Sequence, residues 1–214
     1  MGENIRITSN VNAANDLVAR QNRALFARNK LPVLNMISSP GSGKTSVLER
    51  MATCLGTSLA VITGDIQTTF DADRLTGAGA TAVQIETGGS CHLSAAMVQK
   101  ALMGMVLNDK KLLVIENVGN LVCPAAFDLG EMQKIAVLSV TEGDEKPAKY
   151  PALFTRAAAV IVNKVDLLPY VKFSIDRVRN DCRKLNRDSA IFPLSCMTGE
   201  GFETWMEYCS KLTK

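Results

Sequence analysis

The residues with the clearest chemical meaning lie in one short segment that begins at Ser38, SSPGSGKT. Gly41 and Gly43 would let the backbone wrap so that its amide groups point at phosphate oxygens, and a following helix would add the positive end of its dipole. Lys44 would then contact the β- and γ-phosphates, and Thr45 would ligate Mg²⁺. Ser38 stands where the usual pattern has its first glycine, at a strand end where a small residue suffices. The segment predicts a nucleotide-binding loop formed by Pro40, Gly41, Ser42, Gly43, Lys44, Thr45 and Ser46.

A second group of polar residues follows a strongly apolar run far downstream, in AAAVIVNKVDLL. The carboxylate of Asp166 could accept hydrogen bonds from N1–H and the exocyclic amine of guanine, whereas adenine presents a lone pair at N1 and would be repelled. Asn163 and Lys164 belong to the same motif, and the stem of Lys164 would lie on the purine. The segment SCMTGEG, which starts at Ser195 and Cys196, would supply a backbone amide near the guanine carbonyl. The predicted nucleotide is therefore GTP.

Soft metal ligands occur at two further places. His92 is the only histidine of the chain and directly follows Cys91, and Cys123 ends the segment IENVGNLVC. Parallel strands deliver their carboxyl ends to one edge of a sheet, so these side chains are expected to share the edge that holds the phosphate loop. Thiolate and imidazole suit Zn²⁺ or Ni²⁺. Because three ligands leave the coordination incomplete, the missing ones could come from a second subunit across a two-fold axis.

Short apolar runs that alternate with longer amphipathic ones predict how these groups are positioned. Seven Val- and Ile-rich runs suit strands buried on both faces: PVLNMIS, SLAVITG, TAVQIET, KLLVIEN, KIAVLSV, AAVIVNK and AIFPLS. A leading helix is predicted at residues 10–29, capped near Asn10 or Asn12. Further helices are predicted at 44–55, 93–108, about 148–157, 172–186 and 201–213. This alternation predicts an α/β fold of three layers with a mainly parallel sheet of about seven strands.

Composition narrows the class of protein further. The 214 residues, 47% hydrophobic and 21% charged, suit one globular domain, predicted at residues 31–214 with a leading helix in residues 1–30 packed on it. A net charge of +3 with 5% aromatic residues does not favour nucleic acid as a partner, and no apolar run approaches the roughly 20 residues that cross a membrane. Without a signal core we expect a cytoplasmic protein. Its cysteines should be thiols, with Cys54, Cys182 and Cys209 in the core.

Together these motifs resemble the HypB family of hydrogenase nickel-incorporation GTPases, which is grouped with the urease accessory GTPases. The likeness covers nearly the whole chain, through SSPGSGKT, GDIQTTFDADR, GGSCHLSAAMV, IENVGNLVCPAAFDLGE, VTEGDEKPAKYP and NKVDLL. The CHL and IENVGNLVCP segments are specific to this group rather than shared by GTPases in general. Many members carry a histidine-rich stretch or a cysteine motif before the GTPase domain. The leading segment here has neither, so nickel storage is not expected.

The resemblance implies a P-loop GTPase of the signal-recognition and MinD-like class that forms a homodimer when GTP is bound. It implies a metal site at Cys91, His92 and Cys123. It also implies that nickel is delivered to the large-subunit precursor of a [NiFe]-hydrogenase together with a second nickel-insertion accessory protein.

The same resemblance implies roles for acidic residues around the phosphates. Asp65, Asp71 and Glu116 would surround Mg²⁺ and the attacking water. The predicted catalytic residues are thus Lys44, Asp65, Asp71 and Glu116, and the predicted Mg²⁺ ligands are Thr45, Asp65 and Glu116.

The spacing from Glu116 to Cys123 suggests how the two sites would communicate. Glu116 would sense the γ-phosphate and Mg²⁺, and Cys123 lies seven residues further along the same segment. Hydrolysis that relaxes this segment could reposition a metal ligand, as in other order-to-disorder switches. No arginine is evident as a finger in cis, so intrinsic turnover is expected to be slow.

Two other functions are compatible with the sequence. A small-molecule kinase on the same fold would need an acceptor-binding lid. It would leave Asn163, Lys164 and Asp166, here called the guanine motif, without a role. A GTP-gated chaperone for another metalloenzyme or a cobalamin-dependent mutase would need no metal, and Cys91, His92 and Cys123 would then be core residues. Phosphate release without an acceptor, preference for GTP over ATP, and the stoichiometry of bound nickel and zinc distinguish the three.

Overall fold

Seven parallel strands form the central sheet of the computed structural model, which describes residues 7–65 and 70–213, with the side chains of 7–12 and 65 excepted. In chain order they are β1 (Val33–Ser38), β2 (Leu59–Asp65), β3 (Thr81–Glu86), β4 (Leu112–Glu116), β5 (Gln133–Ser139), β6 (Ala157–Asn163) and β7 (Ala190–Pro193). Their spatial order is β3-β2-β4-β1-β5-β6-β7, and the pairs are parallel. The predicted fold class and strand number are confirmed.

Helices cover both faces of this sheet. They are α1 (Ile7–Arg28), α2 (Lys44–Leu55), α3 (Phe70–Gly77), α4 (Ala95–Leu102), α5 (Cys123–Ala126), α6 (Lys146–Lys149), α7 (Pro151–Phe154), α8 (Ile175–Leu185) and α9 (Phe202–Leu212). α2 matches its predicted range, and α8 and α9 lie within theirs, whereas α3 and α5 were not predicted. In the described part of the chain, no helix has both the length and the apolar character needed to cross a bilayer.

The prediction of a single helix at about residues 148–157 is wrong. Two short helices, α6 and α7, take its place. Pro147 and Pro151 each lie in the first turn of one of them, where a missing backbone N–H breaks no helical hydrogen bond. The chain then enters β6 at Ala157, inside the predicted helix.

The helix predicted at residues 93–108 is shorter in the structure. α4 begins after Ser94, whose hydroxyl accepts a hydrogen bond from the backbone N–H of Met97 at 3.3 Å, as an N-cap does. It ends at Leu102, shortly before Gly104, a residue with low helix propensity.

The leading helix packs against α4, the helix that follows Cys91 and His92 in the chain. Its predicted cap at Asn10 or Asn12 is wrong, because α1 begins earlier and contains both residues. Further along α1, the amide of Asn22 donates hydrogen bonds to the carbonyls of Ala95 and Leu129 at 2.9 and 3.0 Å. These bonds tie α1 to the start of α4 and to the segment before β5. The boundary between leading helix and main domain stays a prediction.

Apolar side chains fill the core on both faces of the sheet. Along β1, Leu34 and Met36 pack on the face that α2 and α9 cover, and Ile37 packs on the other face. Trp205 of α9 is fully buried, and its Nε1 donates to the sulfur of Met51 in α2 at 3.3 Å. Because α2 follows the phosphate loop, this packing holds the helix that starts at that loop.

The carboxyl ends of three strands bring the predicted chemistry to one edge of the sheet. β1 ends at Ser38, β4 at Glu116 and β6 at Asn163. Because β1 pairs directly with β4, and β5 alone separates β1 from β6, these ends lie close together. This is the edge at which open α/β folds bind ligands.

Candidate nucleotide and metal site

The phosphate loop, from Ser38 to Thr45, connects β1 to α2. Gly43 has a φ of +91°, and a Cβ there would clash with Nδ2 of Asn163, so only glycine fits. Ser38 accounts for the missing first glycine: its side chain is fully buried, and its hydroxyl accepts a hydrogen bond from Nζ of Lys44 at 2.7 Å. A glycine at this position would lack that acceptor.

A cavity of about 480 Å³ beside the phosphate loop, here called the phosphate cavity, includes Lys44, Thr45, Asp71 and Glu116 in its walls. The hydroxyl of Thr45 donates to Oε1 of Glu116 at 2.8 Å. Burial raises the pKa of Glu116 to about 7, although the Lys44 ammonium and the Thr45 hydrogen bond act in the opposite direction. Its Oε2 is buried and has no hydrogen-bond partner among the described residues. An unsatisfied carboxylate oxygen beside a hydroxyl fits a Mg²⁺ ion, which prefers oxygen ligands.

Arg74, which sequence reasoning missed, also lines the phosphate cavity. Its guanidinium donates to both carboxylate oxygens of Glu49 at 2.7 and 2.9 Å, and it lies 3.5 Å from Oδ1 of Asp71. The phosphate cavity therefore has an arginine in cis, contrary to expectation, but Glu49 of α2 holds it. The side chain of Asp65 lies outside the described part of the chain, so its predicted role stays a prediction.

Direct hydrogen bonds fasten the guanine motif to the phosphate loop. Nδ2 of Asn163 donates to the carbonyl of Ser42 at 3.0 Å, and Nζ of Lys164 donates to the carbonyl of Gly41 at 2.8 Å. Oδ1 of Asn163 accepts from the backbone N–H of Lys164 at 2.8 Å, which stabilises that residue at a φ of +64°. These bonds fix where Asp166 stands relative to the phosphate loop.

A second cavity of about 680 Å³, here called the base cavity, is lined by Lys164 and Asp166. The hydroxyl of Ser195 donates to Oδ1 of Asp166 and so orients the carboxylate. The backbone N–H of Ser195 donates to the carbonyl of Glu200 at 2.9 Å. The side chain of Ser195 thus positions Asp166, while the contact of a backbone amide of SCMTGEG with the guanine carbonyl stays a prediction.

The two cavities meet at Ser46 and Lys164, so one ligand can extend through both. Their sizes lie in the range of small-molecule sites. Cys196 lines the base cavity, and its backbone N–H donates to Oδ1 of Asn163 at 3.3 Å. Burial raises the pKa of the Cys196 thiol to about 11. Its predicted contact with guanine stays a prediction.

The metal cluster, Cys91, His92 and Cys123, is brought together by the fold, with one ligand atom from each within 4.8 Å of the others. The imidazole of His92 stacks on Phe127 at a centroid distance of 3.8 Å, which orients the ring. The neighbouring Cys123 thiol raises the pKa of Cys91, and burial lowers the pKa of His92, so both shifts favour neutral groups. Two thiols and an imidazole fit Zn²⁺ or Ni²⁺, and metal binding by them stays a prediction.

Comparison with known proteins decides the family. A family model described as CobW/HypB/UreG, nucleotide-binding domain, matches residues 32–193. The hydrogenase maturation factor HypB of Escherichia coli strain K12 is 48% identical over 196 residues, which are 91% of this chain and 68% of that protein. The chain belongs to the HypB family. The hydrogenase/urease maturation factor HypB of Helicobacter pylori strain J99 is 40% identical over 210 residues, 96% of this chain and 87% of that protein.

Solved HypB structures share the fold. A crystal structure of HypB from Helicobacter pylori in complex with nickel matches with a TM-score of 0.90 and 40% identity, covering 94% of this chain and 95% of that one. HypB from Archaeoglobus fulgidus matches with a TM-score of 0.87 and 34% identity, covering 94% and 100%. The signal recognition particle receptor FtsY of Elizabethkingia anophelis matches with a TM-score of 0.55, covering 94% of this chain and 73% of that one. At 15% identity, this match shows the fold alone.

The other helical cysteines of this HypB-family chain differ in their surroundings. Cys182 and Cys209 are buried as predicted, and burial raises the pKa of each to about 12. The prediction for Cys54 is wrong, because this thiol is exposed and lines the base cavity.

These surroundings predict which thiols react. In the folded chain, we expect an alkylating reagent to modify the exposed Cys54 and Cys91 first, because the reagent must reach the sulfur. Cys182 and Cys209 should react only after unfolding. Mass spectrometry of peptides after brief labelling, with and without denaturant, measures this pattern. Labelling of Cys209 in the folded chain at the rate seen for Cys54 would contradict the packing described for α9.

Proposed function

We propose that this HypB-family chain is a GTPase that hydrolyses GTP to GDP and phosphate and assists nickel insertion into a [NiFe]-hydrogenase precursor. The observation that carries the proposal is the direct fastening of the guanine motif to the phosphate loop. Asn163 and Lys164 donate to the loop carbonyls of Ser42 and Gly41 at 3.0 and 2.8 Å. The base-reading carboxylate and the phosphate-binding backbone therefore form one site with a fixed span.

Hydrolysis depends on stabilising charge on the transferred phosphoryl group. Lys44 would place a cation at the β- and γ-phosphates, and Thr45 and Glu116 would hold Mg²⁺, which neutralises phosphate charge when bound. A water attacks the γ-phosphorus while the bond to the bridging β-oxygen breaks, and GDP and phosphate leave. Asp71, in the wall of the phosphate cavity, is a candidate to position that water. Turnover should be slow, since Arg74 is engaged in an ion pair.

The metal is proposed as cargo, held by Cys91, His92 and Cys123. Nickel fits these ligands, and the HypB structure from Helicobacter pylori was solved in complex with nickel. The ligand number supports a dimer, because the three donors that converge among the described residues leave the coordination of Ni²⁺ or Zn²⁺ incomplete. We propose that GTP favours this homodimer and that the further partners are a second nickel-insertion accessory protein and the hydrogenase large-subunit precursor.

Two measurements, phosphate release and the stoichiometry of bound nickel and zinc, separate this function from its alternatives. The purified chain with Mg²⁺ should release phosphate from GTP without any acceptor and should prefer GTP to ATP. A small-molecule kinase would release little phosphate until its acceptor is added. A metal-independent GTP-gated chaperone would release phosphate but bind neither nickel nor zinc in stoichiometric amount. Either result would overturn the corresponding half of the proposal.

Cys123→Ala should lose metal binding and the effect of metal on dimerisation, while GTP binding persists. The thiol is one of three converging donors, and it contributes to neither the phosphate loop nor the guanine motif. In the wild type, metal and GTP that both favour the dimer must raise each other's affinity by the same factor, typically about 5- to 150-fold. Size-exclusion chromatography with light scattering, during a nickel titration with GDP or a GTP analogue, measures both effects.

Cys54→Ala is the matched control for this experiment. It removes an exposed thiol that lines the base cavity and lies outside the metal cluster, so nickel binding should remain at the wild-type value. Nickel affinity that ignores the nucleotide, or that survives the loss of both Cys91 and Cys123, would contradict the proposed linkage.

A further inference from the structure

Asn117 lies between the nucleotide site and the metal cluster. It directly follows Glu116 at the end of β4, and its side chain is 1% exposed. Its Oδ1 accepts hydrogen bonds from the backbone N–H groups of Leu93 and Val118, each at 3.1 Å. Its Nδ2 donates to Oδ1 of Asn35 in β1 at 3.2 Å. The side chain therefore joins the end of β4 to the residue that follows His92 in the sequence.

The side chain of Leu93 also lies against a residue of the phosphate cavity wall. That side chain is fully buried against Gly64 of β2, a residue in the cavity wall. A Cβ placed on Gly64 would lie 2.8 to 2.9 Å from three side-chain carbons of Leu93. The loop that carries Cys91 and His92 is thus held in place at Leu93. The backbone of Leu93 bonds to Asn117 and its side chain packs on Gly64, and both of these residues line the phosphate cavity.

The third ligand is attached to the same strand end by the chain itself. Residues 116–123, here called the linking segment, run from Glu116 to Cys123. Within it, a Cβ on Gly119 would lie 3.0 to 3.1 Å from Pro40, so the segment passes directly against the phosphate loop. All three metal ligands are therefore tied to the linking segment: Cys123 covalently, and the Cys91–His92 pair through the hydrogen bond from Leu93 to Asn117.

We propose that Asn117 is a positioning residue that links the nucleotide state to the geometry of the metal cluster. The proposal rests on the proposed function, in which the linking segment responds to the γ-phosphate. A shift of Asn117 would either carry Leu93 with it or leave a buried N–H without an acceptor, which is costly. The Cys91–His92 pair is thereby held to the Asn117 end of the linking segment. A nucleotide-dependent change in the shape of that segment therefore alters the distance from this pair to Cys123, which lies at the other end.

The test is a coupling ratio: the dissociation constant of Ni²⁺ with GDP divided by that with a non-hydrolysable GTP analogue, measured on the full chain by calorimetry. A ratio cancels any uniform change in nickel affinity. In the wild type it should be about 5 to 150. Asn117→Ala should bring it close to one. Asn35→Ala is the matched control, because it removes the partner of Nδ2 and leaves the bond from Leu93 intact, so its ratio should stay at the wild-type value.

Asn117→Ala with a wild-type ratio would overturn the inference. A wild-type ratio of one would instead contradict the nucleotide and metal linkage of the proposed function, so the two failures are distinguishable.

A second pair of variants avoids dependence on Asn117→Ala, should that chain not fold. Gly64→Ala should push Leu93 away and lower the ratio, because the three atoms nearest its new methyl group all belong to Leu93. Adding Leu93→Ala removes those atoms and should restore the ratio, since the backbone bond to Asn117 can form again. A wild-type ratio in Gly64→Ala, or no recovery in the double variant, would contradict the inference.

Discussion

Lys44→Ala is expected to abolish measurable GTP hydrolysis. The side chain is 9% exposed and lies in the wall of the phosphate cavity, where its charge acts away from bulk water. Loss of one positioned donor to a developing negative charge typically costs about 100- to 1000-fold in turnover. Because intrinsic turnover is already expected to be slow, that loss would bring the rate below detection. Phosphate release at saturating GTP and Mg²⁺ is the measurement.

Two further variants control for other effects of this substitution. Lys100→Ala removes an exposed lysine from α4 and should hydrolyse GTP at the wild-type rate. Ser38→Ala removes the hydroxyl that accepts from Lys44 at 2.7 Å and should lower turnover by less than the loss of the lysine itself. Steady hydrolysis in Lys44→Ala would show that segment 38–45 is not the phosphate-binding loop.

Asp166→Asn should weaken GTP binding by about 2 to 5 kcal/mol. The substitution replaces a carboxylate that accepts from two guanine donors with an amide that can accept only through one atom, and it leaves a guanine donor unpaired. ATP offers no such donor at N1, so its affinity should change far less and selectivity for guanine should fall. Competition against a fluorescent GDP derivative gives both affinities.

The matched control for this substitution is Asp176→Asn. Asp176 lies in the first turn of α8, 83% exposed in its side chain, and its ion pair with Arg179 is on the surface, where such pairs contribute little. It should bind GTP as the wild type does. If Asp166→Asn also keeps wild-type affinity for GTP, the assignment of Asp166 to base recognition is wrong.

The strands and the phosphate loop could be predicted because local sequence decides them. Runs rich in Val and Ile have few alternatives to buried strands, and the glycines of the loop are required by local backbone geometry. The convergence of Cys91, His92 and Cys123 was also predictable, since parallel strands deliver their carboxyl ends to one edge.

Other features depend on partners that are distant in the sequence. The pairing of Arg74 with Glu49 joins α3 to α2. The side-chain amide of Asn117 accepts a hydrogen bond from Leu93, which lies on another loop. Neither partner follows from periodicity or from a motif. Cys54 is different, because the buried apolar positions of α2 are Val47, Leu48, Met51 and Ala52, and the next position of that stripe is Leu55 rather than Cys54. A closer count of the helical period would have placed this thiol outside.

The single tryptophan of the chain gives this protein a built-in optical reporter. Trp205 is fully buried, its ring nitrogen bonds the sulfur of Met51, and its indole lies 5.6 Å from the ring of Tyr208. Met51 belongs to the helix that begins at Lys44, so a displacement of that helix on nucleotide binding changes the immediate surroundings of the indole. Emission excited at the indole band can therefore follow ligand binding and unfolding in real time, in the unmodified chain and in each variant described above.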